Sequence, residues 1–199
     1  MCNFFRGFSR TRVWVLLPLL LQFSSLHAQQ KSELLDDFDT LAGWKTITSE
    51  GAALTLALAK GRTGNALEMD FDLSRVSGYV IAEKEFHRDL PSDYQFTFDM
   101  RAEAPVNNFE FKILDDHDNV YWIKKLNIEY PKEWAKQRIK KRHLSFAWGP
   151  APGLGLHSVR KIEFALSTGT GGNGAHNNMA PYLGITFIIA MSGVFPSRN

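Results

Sequence analysis

Two alternating segments carry the side chains with the most chemistry. Asn108-Phe109-Glu110-Phe111-Lys112-Ile113 sets Glu110 and Lys112 two positions apart, and Tyr121-Trp122-Ile123-Lys124 does the same for Trp122 and Lys124. In a strand, residues two apart share a face. Arg142 opens a third such segment, which runs to Trp148. An indole can stack on the apolar face of a sugar ring, a carboxylate and ammonium groups can hydrogen-bond hydroxyls, and a guanidinium adds a rigid donor fork. Glu110, Lys112, Trp122, Lys124 and Arg142 are therefore the candidate ligand-binding residues. The competing reading makes the charges cross-strand ion pairs and Trp122 plain core.

Trp148 shares parity with Leu144 and Phe146, which points to the core. Trp44, beside a turn, is expected in the core. Trp134 sits in a loop opened by Pro131, as either a rim contact or a packing lid. Asp115, Asp116 and Asp118 with Asn119 make an oxygen-rich loop, but no Glu stands at the spacing of a calcium-binding hand, and a turn accounts for them equally well. Gly169 to Gly174 matches G-x-G-x-x-G, yet no Asp or Glu follows Glu163, so a dinucleotide site is excluded and a turn remains. Lys136, Arg138, Lys140, Lys141, Arg142 and His143 form a basic cluster. It reads as a solvated strand edge, with lysines blunting aggregation, or as a contact for nucleic acid or an acidic glycan. No G-x-S-x-G, H-E-x-x-H or Cys nucleophile is present, so no catalytic residue is assigned. A small hydrolase with two carboxyls across a cleft is the remaining enzymatic reading.

The elements needed to position these side chains are short strands. Ala66 to Leu73 alternates strictly, with Leu67, Met69, Phe71 and Leu73 on one face and Glu68, Asp70 and Asp72 on the other. Tyr94 to Ala102 repeats this, with Tyr94, Phe96, Phe98 and Met100 inward. Further strands are expected at Ser32–Phe38, Lys45–Ile47, Ala53–Ala59, Gly78–Phe86, Phe109–Leu114, Val120–Ile128, Ile139–Trp148 and Val159–Ser167, with one helical turn at Pro131–Gln137. About ten strands separated by turns and almost no helix predict an all-β antiparallel sandwich.

Residues 1–28 read as an export signal. Arg6, Arg10 and Arg12 precede the apolar run Val13–Leu21, and Ala28 marks the cut. The run is short for a bilayer span, though a retained anchor is the rival reading. Gln29 rather than Cys follows the cut, which argues against lipid attachment. The mature chain is thus expected outside the cell or in the periplasm. Three of the 23 basic residues lie in the signal and no acid does, leaving 20 against 21 acids, a formal charge of −1. Nucleic acid as a partner loses its main support. The one cysteine, Cys2, lies in the signal, so a disulfide-free core must stabilise the fold. Residues 29–174 form one domain. Residues 175–199 stand apart: they contain no Asp, Glu or Lys, and Tyr182 to Phe195 is an uncharged apolar run of 14 residues. That tail is a buried final strand, a poorly packed extension, or foreign sequence from a shifted frame or truncated gene.

Residues 34 to 174 resemble the galactose-binding-like, or discoidin-like, jelly-roll carbohydrate-binding domains found at the N-terminus of secreted bacterial glycoside hydrolases. The resemblance rests on Asp36-Asp37-Phe38 before Trp44, Gly61-Arg62-Thr63-Gly64-Asn65-Ala66-Leu67, Asn108-Phe109-Glu110-Phe111-Lys112 and Tyr121-Trp122. It also includes Pro131-Lys132-Glu133-Trp134, Phe146-Ala147-Trp148-Gly149-Pro150 and Lys161-Ile162-Glu163-Phe164. It implies a jelly roll and non-catalytic binding of a polysaccharide or oligosaccharide, by a fragment or stand-alone relative of such accessory modules. It also implies a catalytic partner encoded separately. The rival function is a cell-surface structural or protein-interaction domain. No cofactor is expected, apart from a structural calcium that the resemblance would place at Asp36 and Asp37 with acids from the last strand. The Ile-Asp-Asp-Leu-like run that usually supplies those acids has no counterpart after Ala175.

Overall fold

The computed structural model describes residues 33–74 and 76–168, with the backbone of 184–189. Eleven strands run through these residues: β1 (Lys45–Thr48), β2 (Ala53–Lys60), β3 (Asn65–Asp72), β4 (Tyr79–Asp89), β5 (Gln95–Ala102), β6 (Asn107–Leu114), β7 (Val120–Ile128), β8 (Ala135–Lys140), β9 (Ser145–Trp148), β10 (Ser158–Ser167) and β11 (Gly184–Ile189). A front sheet takes the order β1-β4-β10-β6-β7-β9 and a back sheet the order β2-β3-β11-β5-β8. Every ladder is antiparallel. The expected all-β antiparallel sandwich of jelly-roll type is thus what the chain forms.

Alternation decides which face each strand buries. Leu67, Met69 and Phe71 of β3 and Phe96, Phe98 and Met100 of β5 point into the sandwich from the back sheet; Phe109, Phe111, Ile113, Ile162 and Phe164 meet them from the front. Phe98 lies edge-on to Phe164 at 5.4 Å and stacks on Phe111 at 5.8 Å between ring centres. Each such ring contributes about 1.5–3 kcal/mol by leaving water, and with no disulfide available this layer is the main source of stability.

Four boundaries differ from the sequence-based expectation. Residues 33–38 form no strand. Phe38 instead takes a left-handed backbone (φ 56) and buries its ring against Trp44. The Pro131–Gln137 stretch contains no helical turn; its second half opens β8, because Gln137 and Ile139 of β8 alternate against Lys136, Arg138 and Lys140. The expected single strand Ile139–Trp148 is broken by a 3-10 turn at Lys141–His143, where the chain leaves the back sheet for the front. Finally, Gly184–Ile189, set apart as part of the atypical tail, pairs with β3 on one side and β5 on the other. A strand paired on both sides has no open edge for charged residues to guard. The signal segment and the glycine run at 169–174 lie outside the described residues. Among the described residues no helix is long and apolar enough to cross a membrane.

Candidate functional site

The outer face of the front sheet holds most of the residues singled out above. Register lines up one residue from each of six strands: Lys45, Glu83, Glu163, Lys112, Trp122 and Ser145. A parallel row runs Ile81, Ala165, Glu110 and Lys124. On the other side a third runs Glu85, Lys161, Leu114, Val120 and Trp148. Neighbouring strands lie about 4.8 Å apart. The face is therefore a continuous surface with charges across its middle and two indoles at its β7–β9 end.

The charges are closely paired. Glu110 sends one carboxylate oxygen to Lys112 Nζ at 3.1 Å and the other to Lys124 Nζ at 2.9 Å. Lys112 also reaches Glu163 at 3.9 Å, and Lys161 Nζ donates to Glu83 at 2.7 Å. Glu83, Glu110, Lys112 and Glu163 are all buried. Glu83 and Glu163 are direct cross-strand partners, an unfavourable like-charge contact on its own. Lys112 and Lys161 interleave with them and offset it. Burial is the largest influence on the Glu163 carboxyl and raises its pKa above 4.5. The Glu83 and Glu110 carboxylates push the same way, while Lys112 and Lys161 oppose.

The two indoles meet edge to face, with centres 5.5 Å apart and planes at 84°. Lys124 Nζ lies over Trp122 at 5.3 Å and Lys112 Nζ over Trp148 at 5.7 Å. Trp148 is 50 % exposed, so a large apolar surface faces solvent beside a polar network. This is the geometry in which one ring face is free for stacking while neighbouring cations hold the rings in place.

Trp148 overturns the core expectation. Its neighbour Phe146 does turn inward, against Tyr121 at 5.8 Å. Between them the β7–β9 ladder slips: Tyr121 pairs with Phe146, but Val120 pairs with Trp148. The bulge adds one residue and reverses parity, bringing Trp148 to the side of Val120 and Trp122. The chain is fixed at this point from behind. Gly149 adopts φ 144, and a Cβ there would come within 2.6 Å of Asn119 Cα. Asn119 Oδ1 in turn accepts from Ala151 N at 2.9 Å. Parity counting could not reveal this; the Gly149-Pro150 pair after Trp148 was the available hint.

Glu110, Lys112, Trp122 and Lys124 are brought together as expected. Arg142 is not: it lies exposed in the 3-10 turn and makes no ion pair among the described residues. Glu83, Lys161 and Glu163 were missed as site residues, because their place on this face depends on the β4-β10-β6 register. Asp36 is held by three donors of the protein itself. Its oxygens accept from Phe38 N at 2.8 Å, Trp44 Nε1 at 2.9 Å and Lys84 Nζ at 2.6 Å, so an ammonium already supplies the counter-charge. Asp37 accepts from Asp39 N at the surface. No group of three His, Cys, Asp or Glu suited to a metal occurs among the described residues. The Asp115 loop is a turn closed on itself: Asp115 accepts from His117 N, Asn119 N and Asn119 Nδ2. Trp44 is core, as expected.

No family model matches the chain, and no curated protein matches it. Solved structures do. The family 11 carbohydrate-binding module of a cellulosomal cellulase of Clostridium thermocellum aligns with a TM-score of 0.62 and 16% identity, over 84% of this chain and 98% of that one. The family 11 module from Clostridium thermocellum in complex with a beta-1,3-1,4-mixed-linked tetrasaccharide gives a TM-score of 0.65 at 16% identity, over 84% and 99%. An exo-beta-agarase gives 0.55 at 13% identity, over 83% of this chain and 26% of the enzyme. The chain shares the β-sandwich fold of the two modules and of the aligned part of the agarase.

Proposed function

We propose that the outer face of the front sheet binds a polysaccharide or oligosaccharide and performs no chemistry on it. The observation that carries this reading is the Trp122–Trp148 pair, with Trp148 half exposed and Trp122 partly buried, at the end of a row whose charges lie on β1, β4, β10 and β6. In this reading the indoles stack on sugar rings. Lys124, more accessible than Lys112 and Lys161, donates to hydroxyls, while Glu110 and Lys112 hold Lys124 and Trp148 in place. Glu110 and Glu163 are both engaged by lysines, an arrangement that suits positioning better than general acid–base work. The likeness to carbohydrate-binding modules, one of them named in complex with a mixed-linked tetrasaccharide, supports the reading. The galactose-binding-like resemblance, export by residues 1–28 and a separately encoded catalytic partner belong to the same proposal.

The test is affinity electrophoresis of residues 29–199 against neutral and anionic polysaccharides, with Trp122→Ala and Trp148→Ala alongside. Retardation by a neutral polysaccharide, lost in both variants while circular dichroism stays unchanged, is the expected result. A folded protein retarded by none of them would transfer the assignment to the interaction-domain reading. Release of reducing ends would transfer it to a hydrolase.

A further inference from the structure

The opposite sheet carries a second surface of different character. β8 is an edge strand, and its outward residues Lys136, Arg138 and Lys140 pair in register with Asp99, Thr97 and Gln95 of β5. Trp134, next in the same parity, stands under the Arg101 guanidinium at 5.0 Å. Lys141 and Arg142 continue the cations beyond the strand. Side chains two apart in a strand are spaced roughly 6.8 Å. The row therefore reads as an indole followed by three evenly spaced cations.

Among the described residues, most cations away from β8 are paired. Lys45, Arg62, Lys84, Arg88, Lys112, Lys124, Arg160 and Lys161 each have a carboxylate partner. Among the described residues, the cations without one are Lys60, Lys125, which hydrogen-bonds Gln137 of β8, and those on or beside β8. A generic solvated surface would spread unpaired cations evenly. Here they are gathered on one edge of a chain whose expected mature charge is near zero.

We infer that β8 binds a single chain of an anionic glycan, independently of the front face. Its sulfate or carboxylate groups would meet Lys136, Arg138 and Lys140, and one sugar ring would meet Trp134. The same sheet limits the width of the partner. Glu68 and Asp70 of β3 face outward three strands away, about 14 Å from the cations. A nucleic-acid duplex or a flat anionic membrane laid on β8 would press phosphates against those acids. One narrow glycan chain would not.

The experiment uses the protein purified from a secreting host. Its migration is measured in gels containing a sulfated galactan, a polyuronate or a neutral mixed-linked glucan, at two salt concentrations. Binding to duplex DNA and to phosphatidylserine vesicles is measured in parallel. The triple variant K136Q/R138Q/K140Q should weaken retardation by the anionic glycan roughly tenfold, three solvent-accessible contacts of modest strength each. Added salt should reduce it further. W134A should weaken it without changing the salt dependence, and W122A should leave it intact. The sulfated and carboxylated gels distinguish the two anion types. No retardation by either, full retention in the triple variant, or equal binding to DNA or vesicles would overturn the inference. Thermal unfolding of each variant separates lost contacts from lost fold, and the single variant R138Q tests the point if the triple variant does not fold.

Discussion

Replacing Lys112 by methionine removes one charge from the centre of the front face while nearly keeping its volume. Lys112 is about one-tenth exposed, as are its partners Glu110 and Glu163, at 3.1 and 3.9 Å. Removing one member of a buried charge group typically costs 3–5 kcal/mol, because the partners stay buried without compensation. Glu110 keeps Lys124, so the low end applies: about 3 kcal/mol. For a chain of this size that corresponds to a melting temperature lower by about 6–12 °C. The loss should depend on pH in a defined sense. Burial already raises the Glu163 pKa above 4.5, and removing Lys112 removes a cation that opposes the shift. A carboxyl raised in the folded state holds its proton more tightly there than in the unfolded chain. Its penalty is full above the folded value and is relieved as pH falls toward the unfolded one. The Lys112→Met defect should therefore be smaller at about pH 5 than at about pH 8. Urea unfolding at both values measures this, and adding Glu163→Gln should recover part of the loss at the higher pH. A defect under about 1 kcal/mol, or one that grows on acidification, would refute the reasoning.

Other outcomes follow from single contacts. Gly149→Ala should cost more than about 2 kcal/mol, since it combines an unfavourable φ with a clash against Asn119 backbone, and it should weaken glycan retardation by displacing Trp148. Trp148→Ala, by contrast, should change stability by less than about 1 kcal/mol because half the side chain is already in water, so any loss of binding is a loss of contact. Asp36→Asn should destabilise by about 2–3 kcal/mol in denaturant titration, as it leaves Lys84 without its counter-charge and weakens the acceptor for the Trp44 indole.

Period-two alternation carried most of the fold. Leu67, Met69 and Phe71, or Phe96, Phe98 and Met100, reveal their face without any tertiary information. It also brought Glu110, Lys112, Trp122 and Lys124 together correctly, since each pair needs only its own strand. Residues whose side is set by another strand were illegible. Trp148 changes face through a bulge that exists only in the β7–β9 pairing. Glu83 and Glu163 become neighbours because β4 and β10, some 80 positions apart, share a register. Arg142 illustrates the reverse error: joining it to the β9 segment ignored the 3-10 turn that carries the chain from one sheet to the other.

The position of β11 bears on how this protein reaches its native state. Its ladders join residues 184–187 to 67–70 and residues 185–189 to 98–102. Until that segment arrives, the back sheet exists as two separate ladders, β2–β3 and β5–β8, each with an open inner edge. Loop closures of this span are slow to form, and unpaired edges recruit other chains. Strands β2, β3, β5 and β8 all precede residue 184 in the chain, so folding that starts from the N-terminal side waits in that half-paired state. The protein's yield in the cell should therefore depend on how long those two edges remain unzipped, and on what shields them meanwhile, more than on the depth of the finished core.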